Sequence, residues 1–235
     1  MSSTETSHRN TAIDELRAQV AAIERGSAGG RRIVSFGLPA LDAALPEGGL
    51  ALGAVHEATG SAAIGLVGMV SAQLEGPVLW CVDMGARTTL YGPGLAAFGL
   101  HPARVVVARC RGRTDLLWAM EEGLRASALT AVIGEPPGIV DLTASRRLQL
   151  AAEAGGTLGI VLNSEKGVRF APSALESRWR IDTEPAADMV RPRWRVVLER
   201  CRGGVREPYW MVERDEETGH FAVVTALGDR SAAEA

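Results

Sequence analysis

The stretch that decides the fold is LTAVIGEPPGIVDLTASRRLQLAAEAGGTLGIVLN, residues 129–163. LTAVIGE (129–135) reads as a strand, LTASRRLQLAAEAG (142–155) as a helix and TLGIVLN (157–163) as a strand again. Near-continuous apolar strands joined through a helix predict a parallel sheet covered on both faces. Working outward, the same alternation recurs. AVHEA (54–58) is a strand and IGLVGMVSAQL (64–74) a helix, followed by strand PVLWCVD (77–83) and helix GPGLAAFGL (92–100). Strand RVVVARC (104–110) then leads to helix TDLLWAMEEGLRAS (114–127). After Arg178 the rhythm changes, and RWRID, RWRVVLERC, PYWMVERD and HFAVVTAL predict successive antiparallel strands.

The predicted fold class is therefore α/β, with a core over 33–228. Residues 1–32 form a leader, helix and linker, and 229–235 a disordered tail. TAIDELRAQVAAIER (11–25) carries Ile13, Leu16, Val20 and Ile23 at helical spacing, and GSAGGRR follows as a linker. That stripe suits a partner or the chain's own core, and both stay open here.

The 235 residues suit one α/β domain with appendages. Hydrophobic residues at 46% and charged residues at 23% exclude wholesale disorder. A net charge of -3 excludes holding nucleic acid by overall charge. Cys81, Cys110 and Cys201 lie far apart, which points to neither a disulfide framework nor a zinc site. His56 has no partner at ligand spacing, so no metal is expected, nor any cofactor. The N-terminus lacks a signal peptide's apolar segment, and no apolar run reaches membrane-helix length. A cytoplasmic protein is expected. Tryptophans 80, 118, 194 and 210 lie in apolar segments and predict core packing. Arg146 and Arg147, beside Leu148 and Leu150, read as an exposed helix edge.

One turn bears on chemistry. In HEATGSAAIGLVGM (56–69), Gly60, four residues and Gly65 reproduce the glycine spacing of a P-loop. A working P-loop continues with lysine and a hydroxyl residue, which hold phosphate and Mg²⁺. Here Leu66 and Val67 stand instead, and the chain's single lysine is Lys166.

These segments resemble the RecA family. Leu41, Asp42, Gly48 and Gly49 match its lead-in, and VLWCVDMG, YGPGLAAFGLHPARVVVAR and RVVLERCRGG match later segments. The closer resemblance is to the ImuA family, carried by LPEGGLALGAVHE, LLWAMEEGLR, LTASRRLQLAAEAGGTLGIVL, PSALESRWRI and LERCRGG. It implies a RecA-like core, a mainly parallel twisted sheet flanked by helices, with antiparallel C-terminal strands and an N-terminal helix. It also implies a non-catalytic adaptor in SOS-induced translesion mutagenesis. ImuB would be its partner, with RecA, an error-prone polymerase and a second copy of the chain as further ones, and Ile13, Leu16, Val20 and Ile23 would form the partner interface. Gly60, Ser61, Gly65, Leu66, Val67, Asp83 and Glu135 are then a nucleotide-site remnant. Gly85 and Asn163–Ser164 stand where active relatives carry glutamate and glutamine.

The loop SEKGVRFAPSALES (164–177) matches RecA's second DNA loop. Lys166, Arg169, Phe170, Arg178, Arg180, Arg200 and Arg202 are the candidate contacts to single-stranded DNA, which takes a basic track plus aromatic faces. The alternatives are a DNA-dependent ATPase with an atypical nucleotide site and a SulA-like cell-division inhibitor.

Overall fold

The computed structural model describes residues 31–86, 90–163, 172–185, 192–202, 208–214 and 220–227. The expected N-terminal helix, most of the 164–177 loop and the tail lie outside the described residues. The sheet and its helices all belong to the unit that begins at Ile33.

A two-stranded ribbon, β1 (Ile33–Val34) with β2 (Leu50–Ala51), encloses the short helix α1 (Pro39–Asp42). Asp42 ties this lead-in together, accepting from the Phe36 amide at 2.9 Å and the Ser35 hydroxyl at 2.6 Å. Then come β3 (Ala54–Thr59), α2 (Ala63–Ala72), β4 (Val78–Asp83), α3 (Gly92–Ala97) and β5 (Val105–Cys110). The chain continues with α4 (Gly112–Arg125), β6 (Ala131–Glu135), α5 (Leu142–Gly155) and β7 (Leu158–Asn163). Four strands close it: β8 (Ser177–Thr183), β9 (Arg193–Cys201), β10 (Tyr209–Arg214) and β11 (Phe221–Leu227).

The nine-stranded sheet runs β11-β10-β9-β8-β3-β7-β6-β4-β5. From β8 to β5 all pairings are parallel, and from β8 outward to β11 all are antiparallel. From β3 to β5 the chain steps one way across the sheet, and from β5 to β7 it steps back. Right-handed crossovers therefore put α2 and α3 on one face and α4 and α5 on the other. The core divides accordingly. Trp80, Ile133 and Ile160 join Leu66 and Val70 of α2 on one side. Their neighbours Cys81, Val132 and Val161 join Leu116 and Met120 of α4 and Leu148 of α5 on the other. Period-2 alternation with both faces covered is why these strands read as continuous apolar runs.

Local signals set the helix ends. Asp141 caps α5, accepting from the Ala144 amide at 2.8 Å, and Gly156 closes it in the left-handed region at φ 69°. Beyond α2, Arg104 donates to the carbonyls of Ser71, Leu74 and Gly76.

In the antiparallel wing, Trp179, Ile181, Trp194, Val196, Trp210 and Val212 face the α2 side. The opposite face is charged and largely self-paired: Arg180–Glu199 at 2.7 Å, Arg193–Glu213 at 3.0 Å, and Arg195 over the Tyr209 ring. Three of the four tryptophans expected in the core are there. Trp118 is not: it lies on the solvent side of α4 and is 61% exposed. Its neighbours Leu116, Leu117 and Met120 hold the inward side of that helix.

Candidate functional site

Only Gly60, Ser61 and Ala62 separate β3 from α2. In a parallel sheet this strand-end turn is where a ligand is expected, with the helix amides aimed at an anion. Here the amides are engaged. Ser61 N–H donates to Asp182 Oδ1 at 3.3 Å, Ala62 N–H to Ile181 O at 3.0 Å, and Ala63 N–H to Gly60 O at 3.3 Å. Thr183 N–H donates back to Ser61 Oγ at 2.9 Å, and the Ser61 and Thr183 hydroxyls lie 3.1 Å apart. The end of β8 is thus stapled to the turn. The carboxylate of Asp182 sits at the start of α2, where the helix dipole favours negative charge.

Both glycines have packing reasons. Gly60 has φ 99°, and a Cβ there would overlap Ile181 O and press within 2.8 Å of Asp182 Oδ1. Gly65 lies inside the first turn of α2. A Cβ there would come 2.6 Å from Trp194 Cη2 and 3.1 Å from Phe98 Cζ. Trp194 in turn stacks on Phe221 at 4.3 Å. Leu66 and Val67 are 3% and 2% exposed. With Phe36, His56, Ile160 and Trp179 they line a cavity of about 20 Å³, room for one water and far too small for a nucleotide.

The strand-end acids do not converge. Asp83 accepts from the Gly112 amide at 3.0 Å and so holds the start of α4. Glu135 accepts from Trp80 Nε1 at 2.6 Å, and burial raises its carboxyl above the ordinary value against the pull of that bond. Asp83 shares its sheet face with Cys81, Glu135 with Ile133, so the two point to opposite sides. Asn163 reaches Gly138 O at 3.5 Å. His56 is woven into the fold: Ala51 O accepts from Nε2 at 3.0 Å, and Nδ1 meets Ser177 Oγ at 2.7 Å. Among the described residues no group of His, Cys, Asp and Glu could hold a metal ion. The three cysteines are free and buried. Burial pushes the Cys81 thiol up to about 12 and the Cys201 thiol to about 11, far from a reactive thiolate.

Lys166, Arg169 and Phe170 of the DNA-contact set, and Ile13, Leu16, Val20 and Ile23 of the interface set, lie outside the described residues. The arginines within them are engaged. Arg178 is buried and donates to Glu57 Oε2 at 2.5 Å. Arg180 meets Glu199 and Asp182. Arg200 donates to Ser173 O and Leu175 O, and Arg202 lies 3.6 Å from Glu176. The residues that sequence reasoning missed are the partners Asp182, Thr183 and Glu57; it placed Trp194 in the core but not against Gly65. Asp182 lies 121 positions from Ser61, and no local signal links the two.

The described residues define an open α/β protein whose strand-end turn is filled by its own carboxylate. No family model matches the chain. Over 243 aligned positions it is 35% identical to Protein ImuA of Caulobacter vibrioides, in strain NA1000 / CB15N and in strain ATCC 19089 / CIP 103742 / CB 15 alike. The alignment spans 91% of this chain and 97% of each relative. The chain belongs to the ImuA family.

Proposed function

We propose that the chain is a non-catalytic, RecA-like adaptor in damage-induced translesion mutagenesis. It binds ImuB, and RecA and an error-prone polymerase join the same assembly. The observation that carries this reading is the closure of the β3–α2 turn by β8. A phosphate cradle needs free amides, a lysine and a hydroxyl for Mg²⁺. At this turn two amides are spent on β8, a carboxylate takes the anion's place, and Leu66 and Val67 point into the core. A protein that does no chemistry acts through its surfaces, which suits a member of a mutagenesis cassette. Among the described residues no helix is long and apolar enough to cross a membrane.

The test is two measurements on one preparation. ATP turnover and nucleotide binding, with and without single-stranded DNA, should stay at background. Sedimentation with ImuB encoded in the same genome should give a stable complex. Turnover that is abolished by a change in the 60–67 turn, or no complex with ImuB, would overturn the reading.

A further inference from the structure

We propose that the outer face of α4 and α5 is a docking surface for an amphipathic helix of the partner protein, one with a carboxylate between two apolar anchors. The solvent side of a surface helix is normally polar. Here it carries Trp118, Leu142 and Leu150, which are 61%, 52% and 58% exposed. The inward sides of both helices are already filled, α4 by Leu116, Met120 and Leu124 and α5 by Leu148, Ala151 and Ala152. The outward residues are therefore not core residues facing the wrong way.

Their arrangement names the occupant. Leu142, Arg146 and Leu150 recur every fourth residue, so they form one ridge of α5. The ridge is about 12 Å long at 1.5 Å per residue, two helical turns, which a second helix laid along it can follow. Trp118 is exposed on α4, the helix packed against α5. Glu121, one turn beyond it, is held by Arg147 of α5 at 2.5 Å and by Arg125. This clamp locks the two helices together.

It also settles the charges. Glu121, Arg147, Arg125 and Glu122 neutralise one another. Arg146 remains exposed, in the middle of the apolar ridge, with no partner among the described residues. A guanidinium flanked by two leucines calls for a carboxylate flanked by apolar side chains. The balanced ion pairs around it offer no track for a phosphate backbone. The identity of the partner as ImuB rests on the function proposed above, but the chemistry of the surface does not.

The experiment titrates ImuB with the full-length chain, as wild type, as Trp118→Ala/Leu150→Glu and as Arg146→Glu. Melting curves are run beside each. The double variant should bind at least about thirtyfold more weakly, the usual loss at a buried aromatic anchor. Arg146→Glu should cost about tenfold with an unchanged melting curve, since an uncompensated charge opposes the carboxylate. If wild type binds ImuB and both variants bind equally well, the docking surface is refuted while the adaptor reading stands. If wild type binds no ImuB, both fall. If the variants lose self-association but keep ImuB, the occupant is a second copy and the proposal is overturned. Should the double variant melt early, Arg146→Glu alone decides, because that residue is exposed.

Discussion

The amide of Ser61 donates to the carboxylate of Asp182 across 3.3 Å, and the Thr183 amide returns a bond to Ser61 Oγ at 2.9 Å. The turn and the end of β8 thereby close on each other. A turn with the glycine spacing of a phosphate cradle becomes a joint between two strands. Its neighbours are fixed in consequence: Gly60 against the Ile181 carbonyl, Gly65 beneath the Trp194 ring, and Leu66 and Val67 in the core.

Rebuilding the P-loop sequence with Leu66→Lys and Val67→Thr should therefore unfold the protein, not activate it. Each side chain enters a buried, largely apolar site with room for no more than one water beside it. A buried, unpaired ammonium costs at least about 3 kcal/mol. Chemical denaturation should show the midpoint falling sharply, with no gain in ATP turnover. A stable variant that binds ATP would mean that the turn can open.

Gly65→Ala is the finer probe of the same site. The new methyl meets the Trp194 and Phe98 rings, and overpacking of this kind costs about 1–3 kcal/mol. Trp194→Leu should cost stability alone yet make Gly65→Ala markedly less costly, leaving only the 3.1 Å contact to Phe98. A double-mutant cycle read by thermal melting checks this, and strict additivity would refute the contact.

Arg178 and the 164–170 segment should separate cleanly. Arg178→Ala strands Glu57 in a buried site, at a cost of about 3–5 kcal/mol. If the 164–170 segment contacts single-stranded DNA, wild-type affinity will be weak and fall steeply with salt, and Lys166→Ala with Arg169→Ala will abolish it. Binding indifferent to salt, or unaffected in the double variant, would remove DNA from the functions of this segment.

Glu135 sets a pH dependence. Burial raises its carboxyl above the ordinary 4.5, so folding favours the protonated form. The stabilisation is complete below 4.5 and is lost as pH climbs through the raised folded value. At neutral pH Glu135→Gln removes the buried charge and keeps an acceptor for Trp80 Nε1. The variant should melt higher than wild type at neutral pH, with the gain vanishing as the pH drops below 4.5. A gain constant with pH would place its cause elsewhere.

The strands and helices of the sheet were legible because apolar periodicity and length are local properties. LTAVIGE, TLGIVLN and the helix between them lie close to where their patterns put them, and the change of rhythm after Arg178 marks the wing. The absence of a lysine and a hydroxyl after Gly65 was equally plain from the order of residues. Trp118 misled, because residue type reports the cost of exposure and not the direction a side chain takes from its helix.

The chain by itself determined its element order, the two covered faces of the parallel sheet and the absence of a lysine and a hydroxyl after Gly65. Tertiary structure alone decided what closes the turn between β3 and α2. Asp182 reaches Ser61, Glu57 pairs with Arg178 and Trp194 lies over Gly65 because β8 and β9 return beside β3 and α2 after more than a hundred residues. Such contacts depend on strand register and on the packing of one layer against the next. Neither leaves a trace in the spacing of residues along the chain, so the same glycines read as a cradle in one dimension and as a joint in three.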